Sequence, residues 1–183
     1  IICFAGSARK NSFNKKLAQI ACEELRKLGA DAQFIDLADY PLPIFNEDFE
    51  AEQGHPVELE ALKKIFAEAS GFYISCPEYN GSISALLKNT LDWLSRKPKG
   101  VSTTVLENKV VAISAASPGG LGGIRMLPHL RVILSNLKMN VIHEQLAIGS
   151  AHNALENGLN ESMRQALENQ CKSLCLLHHL QSQ

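Results

Sequence analysis

The feature that most constrains this chain is a repeated switch between two hydrophobic periods. Ile1, Ile2, Cys3, Phe4 and Ala5 form an unbroken apolar run, which suits a strand buried on both faces of a parallel sheet. From Phe13 the period changes: Phe13, Leu17, Ile20, Ala21, Leu25 and Leu28 recur at spacings of three and four, the stripe of a helix with one buried face. Ser12 stands where an N-cap is expected and Gly29 where a helix-ending residue is expected. The same switch recurs along the chain. "AQFIDL", "GFYISC", "KVVAISAAS" and "NVIHEQLAI" read as further strands, and between and after them run helical stripes through Leu59–Ala69, Ile83–Leu94, Ile124–Leu137 and Leu159–Leu177. Strands alternating with helices predict a doubly wound α/β fold, a five-stranded parallel sheet with helices on both faces. With no internal repeat or low-complexity linker, residues 1–183 are read as one domain.

Composition narrows the classes of function. A chain of 183 residues with a formal net charge of −1 offers no electrostatic reason to expect nucleic acid or an anionic membrane as partner. No apolar run approaches the length of a membrane span, and the opening run is too short for a secretory signal. The chain opens on Ile1 rather than methionine, which leaves room for a short lead. Its five cysteines include no C-x-x-C pair, so reduced thiols in a cytoplasmic protein are expected. His55, His129, His143 and His152 lack metal-like spacing, and His178 and His179 are adjacent and so point apart on a helix. Cys171 and Cys175 lie one helical turn apart without a matching histidine pair, and core packing is expected of them rather than zinc binding.

In a doubly wound sheet, ligands bind outside the carboxyl ends of the strands. The loops there are "GSARKNSFN" after the first strand, "PEYNGS" after the third and "SPGGLGG" after the fourth. The first runs into a helix N-terminus, where unpaired N–H groups and the aligned peptide dipoles favour an anion. Ser7, Ser12 and Asn14 add short polar groups and Arg9 a planar cation. This loop taken by itself leaves a second reading open, in which Ser12 only caps the helix and Arg9 and Lys10 are solvated. It lacks the glycine-lysine end of a Walker loop and the spaced glycines of a dinucleotide fingerprint. Ser7 and Lys10 match S-x-x-K, but the companion elements of penicillin-binding enzymes are absent. In the second loop Asn80-Gly81 permits positive φ and Tyr79 offers an aromatic plane. In the third, four glycines permit close backbone approach to a flat ligand, or make a loop that is simply mobile. Asp39 to Glu60, acidic and interrupted by Pro41, Pro43 and Pro56, reads equally as a long functional loop beside the site or as a solvated connector.

Taken together, "GSARKNSFNKKLA", "PEYNGSISALLKNTLDWLSR" and "SPGGLGGIRMLPHLRVIL" resemble the NADPH-dependent FMN reductase family, flavodoxin-like proteins that include quinone, azo-dye and chromate reductases. The resemblance covers nearly the whole chain and implies the strand order 2-1-3-4-5. It implies FMN as cofactor, with NADPH or NADH as electron donor and a small-molecule electron acceptor. It also implies that Ser7, Ala8, Arg9, Lys10, Asn11, Ser12, Phe13 and Asn14 surround the FMN phosphate and ribityl chain, with Ser7, Arg9, Ser12 and Asn14 contributing side chains. Pro77, Glu78, Tyr79 and Asn80 would border the ring, Glu78 shaping the pocket rather than shuttling protons, and Ser117, Gly119 and Gly120 would line its other edge. No protein residue is assigned a catalytic role, because the flavin carries the chemistry. The helix after the third loop, including Arg125, belongs to the subunit contact in relatives, and Pro128 stands where some carry tyrosine. A homodimer or homotetramer is expected on that ground, and because Trp93, Met126 and Ile133 fall outside the helical core stripes. The alternatives to a reductase are a flavodoxin-type electron carrier and an FMN-binding regulatory subunit.

Overall fold

The computed structural model describes residues 1–97 and 100–181, with the side chains of residues 178–181, including His178 and His179, outside that description. In chain order the elements are β1 (Ile2–Ala5), α1 (Phe13–Lys27), β2 (Gln33–Phe34), a single tight turn at Leu37–Asp39, α2 (Glu47–Gln53) and α3 (Val57–Glu68). They continue as β3 (Gly71–Ser75), α4 (Ala85–Leu94), β4 (Val110–Ala116), α5 (Met126–Asn136), β5 (Asn140–Ile148), α6 (Ala151–Glu156) and α7 (Glu161–Gln181). All strand pairings are parallel and the order is β2-β1-β3-β4-β5, the flavodoxin-like arrangement.

Every residue of β1, β3 and β4 is buried, as expected for central strands covered on both sides. Successive side chains alternate between two cores. Phe4 and Phe72 join Phe66 of α3 and Leu87, Leu91 and Trp93 of α4 on one face. Cys3 and Tyr73 join Leu17, Ala21 and Leu25 of α1 and Leu167, Cys171 and Leu174 of α7 on the other. The Tyr73 hydroxyl, fully buried, donates to Gln170 Oε1 (2.9 Å), and Gln170 Nε2 donates to the carbonyls of Ile113 and Glu144. That chain of bonds satisfies the polar atoms in this core. Burial pushes the Tyr73 phenol well above its ordinary range.

Helix α1 begins and ends as its sequence predicts. The Ser12 side chain accepts from the Lys15 N–H, and at the far end Gly29 N donates to Arg26 O and Ala30 N to Leu25 O, the paired bonds of a Schellman close. Other expectations need correction. Asp39 to Glu60 is not all connector: it contains α2, capped by Asn46 and without a buried residue, so no apolar stripe announced it. The segment before α2 is strapped to α4, where Asn89 accepts from Phe45 N (2.8 Å) and Trp93 Nε1 donates to Pro43 O (2.8 Å). Trp93 is therefore wholly buried, as is Met126, and neither supplies surface for subunit contact. Ile124, assigned to the core stripe of α5, precedes that helix and is exposed. The cysteines are unpaired thiols, four buried and Cys175 half-buried. Among the described residues no three metal-ligating side chains cluster, and no helix is long and apolar enough to cross a membrane.

Candidate functional site

The carboxyl ends of β1, β3 and β4 bring the three loops together. A cavity of about 130 Å³ is lined by Ser7, Arg9, Ser12, Phe13 and Asn14 from the first, by Pro77, Glu78 and Tyr79 from the second, and by Ala116, Ser117 and Pro118 at the third. Ala8, Asn80, Gly119 and Gly120 stand exposed at its margins. Lys10 and Asn11 turn instead to an adjoining cavity of about 450 Å³, shared with Lys15, Lys16 and Asp36. A cavity of about 500 Å³ also opens among Lys63, Ala67, Thr104 and Lys109. Lys109 directly precedes β4, so that cavity lies toward the amino ends of the strands, away from the ligand side of this fold.

The first loop is held from beneath. Asn14, on the opening turn of α1, is buried, and its amide faces the sheet. Nδ2 donates to Ala116 O (2.9 Å), and Oδ1 accepts from Ala116 N (2.9 Å) and from Ser75 Oγ (2.9 Å). Those bonds rivet the helix start to the ends of β3 and β4, a role the sequence did not reveal. Behind it Ser84 caps α4 through Leu87 N (3.2 Å) while its hydroxyl donates to Gly6 O (2.6 Å). A Cβ on Gly6 would lie 2.9 Å from Cys76 Sγ and 3.1 Å from Ser84 Oγ, so glycine lets the loop come this close to the end of β3. Burial pushes the Cys76 thiol up to about 11, which leaves it a packing group rather than a reactive thiolate.

The exposed side of the loop has the donors an anion needs. The N–H groups of Phe13 and Asn14 have no acceptor among the described residues, as expected of a helix's first turn. The Arg9 guanidinium donates to Asn11 O (3.1 Å) and lies 6.0 Å from the centre of the Phe13 ring, which keeps it beside the cavity. Lys15 pairs with Asp36 at 2.6 Å.

In the second loop Tyr79 and Ser82 exchange backbone bonds (2.9 and 3.1 Å) around Asn80 and Gly81, both at positive φ, the tight turn expected of that dipeptide. The third loop is docked, not free. Ser117 N donates to Ile148 O, Ala151 N to Ser117 O and Ser150 N to Gly119 O, at 3.0 to 3.1 Å. A Cβ on Gly122 would fall 2.8 Å from Gly149 N, so at this position the glycine serves backbone contact between the third loop and the turn after β5. Glu78 joins the second loop to the third: Oε1 accepts from Arg125 Nε (2.7 Å) and Nη2 (2.6 Å), and Oε2 from Arg125 N (3.1 Å). Sequence reasoning missed Gly6, Ser75, Ser84 and Ala116 as parts of the site. Only Ser84, a cap-type residue at the second position of the Ile83–Leu94 stripe, carried a signal that was there to be found; the helix begins after it, at Ala85.

A parallel sheet in the order 2-1-3-4-5, with an unpaired helix N-terminus on the first loop and an aromatic turn on the third strand, defines a flavodoxin-like nucleotide-binding protein. Residues 1–153 match the NADPH-dependent FMN reductase family, and the chain belongs to that family. Among its relatives, the NAD(P)H:quinone oxidoreductase of Solanum tuberosum is 38% identical over 141 residues, covering 76% of this chain and 69% of the relative. The quinone reductase of Escherichia coli K12 is 35% identical over 153 residues, covering 81% and 76%. Among solved structures, the flavoenzyme NAD(P)H:(acceptor) oxidoreductase FerB from Paracoccus denitrificans superposes with a TM-score of 0.78 at 25% identity, covering 97% of this chain and 96% of the other. The protein is an NAD(P)H-dependent flavin oxidoreductase, with FMN and NAD(P)H as its cofactors.

Proposed function

We propose that the chain passes electrons from NADPH or NADH, through FMN held at the three-loop cavity, to quinone-like, azo or other small planar acceptors. The observation that carries this reading is the convergence of an anion-ready helix start, a rigid aromatic turn and a docked glycine loop on one cavity. The residues fit the cofactor. Open N–H groups at Phe13 and Asn14, the hydroxyls of Ser7 and Ser12 and the Arg9 guanidinium form a donor set suited to a phosphate monoester. Ala8, Lys10 and Asn11 complete that loop, Lys10 and Asn11 on its side toward the adjoining cavity. Pro77, Glu78, Tyr79 and Asn80 border the ring on one edge, and Ser117, Gly119 and Gly120 on the other. The chemistry supplied by bound FMN is two-step hydride or electron transfer, from the nicotinamide to the flavin and from the flavin to the acceptor. The protein's own part is to fix that ring and leave one side open. Tyr79, 50% exposed, provides an aromatic surface for a flat acceptor.

A homo-oligomer, dimer or tetramer, is part of this reading. Leu121, Ile124 and Val132 are 64%, 51% and 60% exposed, an apolar strip from the third loop along α5 that a second copy would cover. Dependence on NAD(P)H fits a cytoplasmic protein. Anaerobic mixing of FMN-loaded protein with NADPH and with NADH tests the activity. Rapid bleaching of the flavin, reversed by adding benzoquinone, is expected; a yellow colour that persists with both donors refutes the reductase and leaves an electron carrier or regulatory subunit.

A further inference from the structure

One arginine engages both oxygens of the Glu78 carboxylate. The Glu78 side chain is only 9% exposed while that of Arg125 is 68% exposed, so the pair is anchored at the glutamate end and open to solvent at the other. The two residues belong to different loops, the aromatic turn and the glycine loop that border opposite edges of the flavin position. The chain between them favours the contact. Gly122 and Gly123 both have positive φ and turn the third loop so that Arg125 N itself donates to Glu78 Oε2. Resting on the FMN reading above, we propose that Glu78 and Arg125 are a positioning pair that sets the separation of these two loops before the cofactor arrives, without either side chain delivering a proton.

The reasoning is one of preorganisation. The second loop is otherwise anchored at Cys76 N, through Ser114 O, by its own Tyr79–Ser82 turn, and at its far end by Ser82 Oγ, 3.1 Å from His129 Nδ1 of α5; the third is anchored by its bonds to the β5–α6 connection. Among the described residues the Glu78–Arg125 pair is the side-chain ion pair between them. Severing it leaves each loop folded but lets their spacing vary, so that only a fraction of molecules is ready to bind. Apparent affinity falls by that fraction. If about one molecule in ten keeps the right spacing, FMN binds about tenfold more weakly.

The test is titration of the flavin-free protein with FMN for the parent, Glu78→Gln, Arg125→Ala, the double variant and Arg125→Lys, with thermal unfolding of each flavin-free protein beside it. Each single substitution should raise Kd about tenfold, and the double by no more than either single, because each removes the same side-chain ion pair while the backbone N–H of residue 125 stays in place. Arg125→Lys should recover part of the loss. Unfolding midpoints should stay close together, separating positioning from stability. Variants that bind FMN like the parent, or losses that multiply to about a hundredfold in the double variant, overturn the pair while leaving the FMN reading intact. A parent that takes up no FMN overturns both.

Discussion

Asn14 is the residue at which the sequence and the structure assign different work, and its replacement separates them. As a ligand for phosphate it would matter only when FMN is present. As a rivet it matters to the empty protein. Asn14→Ala deletes three buried hydrogen bonds and leaves Ala116 N–H, Ala116 C=O and Ser75 Oγ without their partner. A buried polar group stripped of its partner costs roughly 1–3 kcal/mol. Ser75 Oγ can rotate and the carbonyl keeps a second lone pair, so the sum is taken near the low end, about 3 kcal/mol. That is a large share of the roughly 5–15 kcal/mol by which a domain is stable. For a chain of this size it corresponds to a drop in Tm of about 6–12 °C. Thermal unfolding of flavin-free protein, followed by circular dichroism, reads it directly. Asn14→Asp sharpens the result: it keeps the acceptor that Ser75 and Ala116 N use, but puts an oxygen where Nδ2 faces Ala116 O. It should also destabilise the empty protein. Flavin-free variants melting within about 2 °C of the parent, a shift worth under about 1 kcal/mol, would refute the rivet and return Asn14 to a ligand's role.

Two further outcomes follow from contacts elsewhere. Gly6→Ala places a methyl 2.9 Å from Cys76 Sγ and should cost about 1–3 kcal/mol as overpacking; adding Cys76→Ala should recover part of the lost Tm, and no recovery would place the clash on Leu87 Cβ (3.0 Å) and Ser84 Oγ (3.1 Å) instead. Glu50 is held below the ordinary carboxylate range by hydrogen bonds from the Arg96 guanidinium, so it contributes stability that is present above its unfolded value and lost as pH falls through the lower folded one. Because Phe45, Phe49 and His55 of this strap pack on Trp93, the single tryptophan, fluorescence should report acid release of the strap. Glu50→Gln should lose that acid step, and an unchanged titration would refute the assignment.

The parts legible in the sequence were those set by local pattern. Ile1 to Ala5 announced a central strand because each residue is apolar, and the change of period at Phe13 announced the helix that follows. Asn80-Gly81 announced its own turn. The parts that were not legible depend on chain segments far apart. The Asn14 amide meets Ala116, 102 residues away, and nothing in "NSFN" distinguishes an amide turned to the strands from one turned to a ligand. Trp93 was taken for surface because it lies off the stripe of its helix; the Pro43 carbonyl and the ring of Phe45 close over it, and the strap that carries them reads only as an acidic loop or connector. Gly122 was assigned to close approach by a ligand. The close approach is real, but its partner is the backbone at Gly149.

These misreadings share a physical origin that bears on how the site works. Those at Asn14 and Gly122 concern a contact made to a strand end or between loops, and they help fix the cavity's walls. Ser84 holds the first loop through Gly6, Asn14 holds the helix start to β3 and β4, and the third loop is keyed to the turn after β5 by backbone alone. A cavity of about 130 Å³ is smaller than the roughly 300 Å³ at which enclosed ligand pockets begin, and it shares Ser12 and Phe13 with the adjoining cavity of about 450 Å³, so the site is open rather than enclosed. Rigid walls on an open site suit two successive partners, because the nicotinamide and the acceptor can then use the same exposed side in turn. The exposed apolar strip through Leu121, Ile124 and Val132 begins at the third loop, which borders this opening. A second copy seated there would limit which acceptors reach the ring. Substitution of Val132 by a charged residue should therefore change oligomeric state and acceptor preference together; if it changes the first alone, the opening is complete within one protomer.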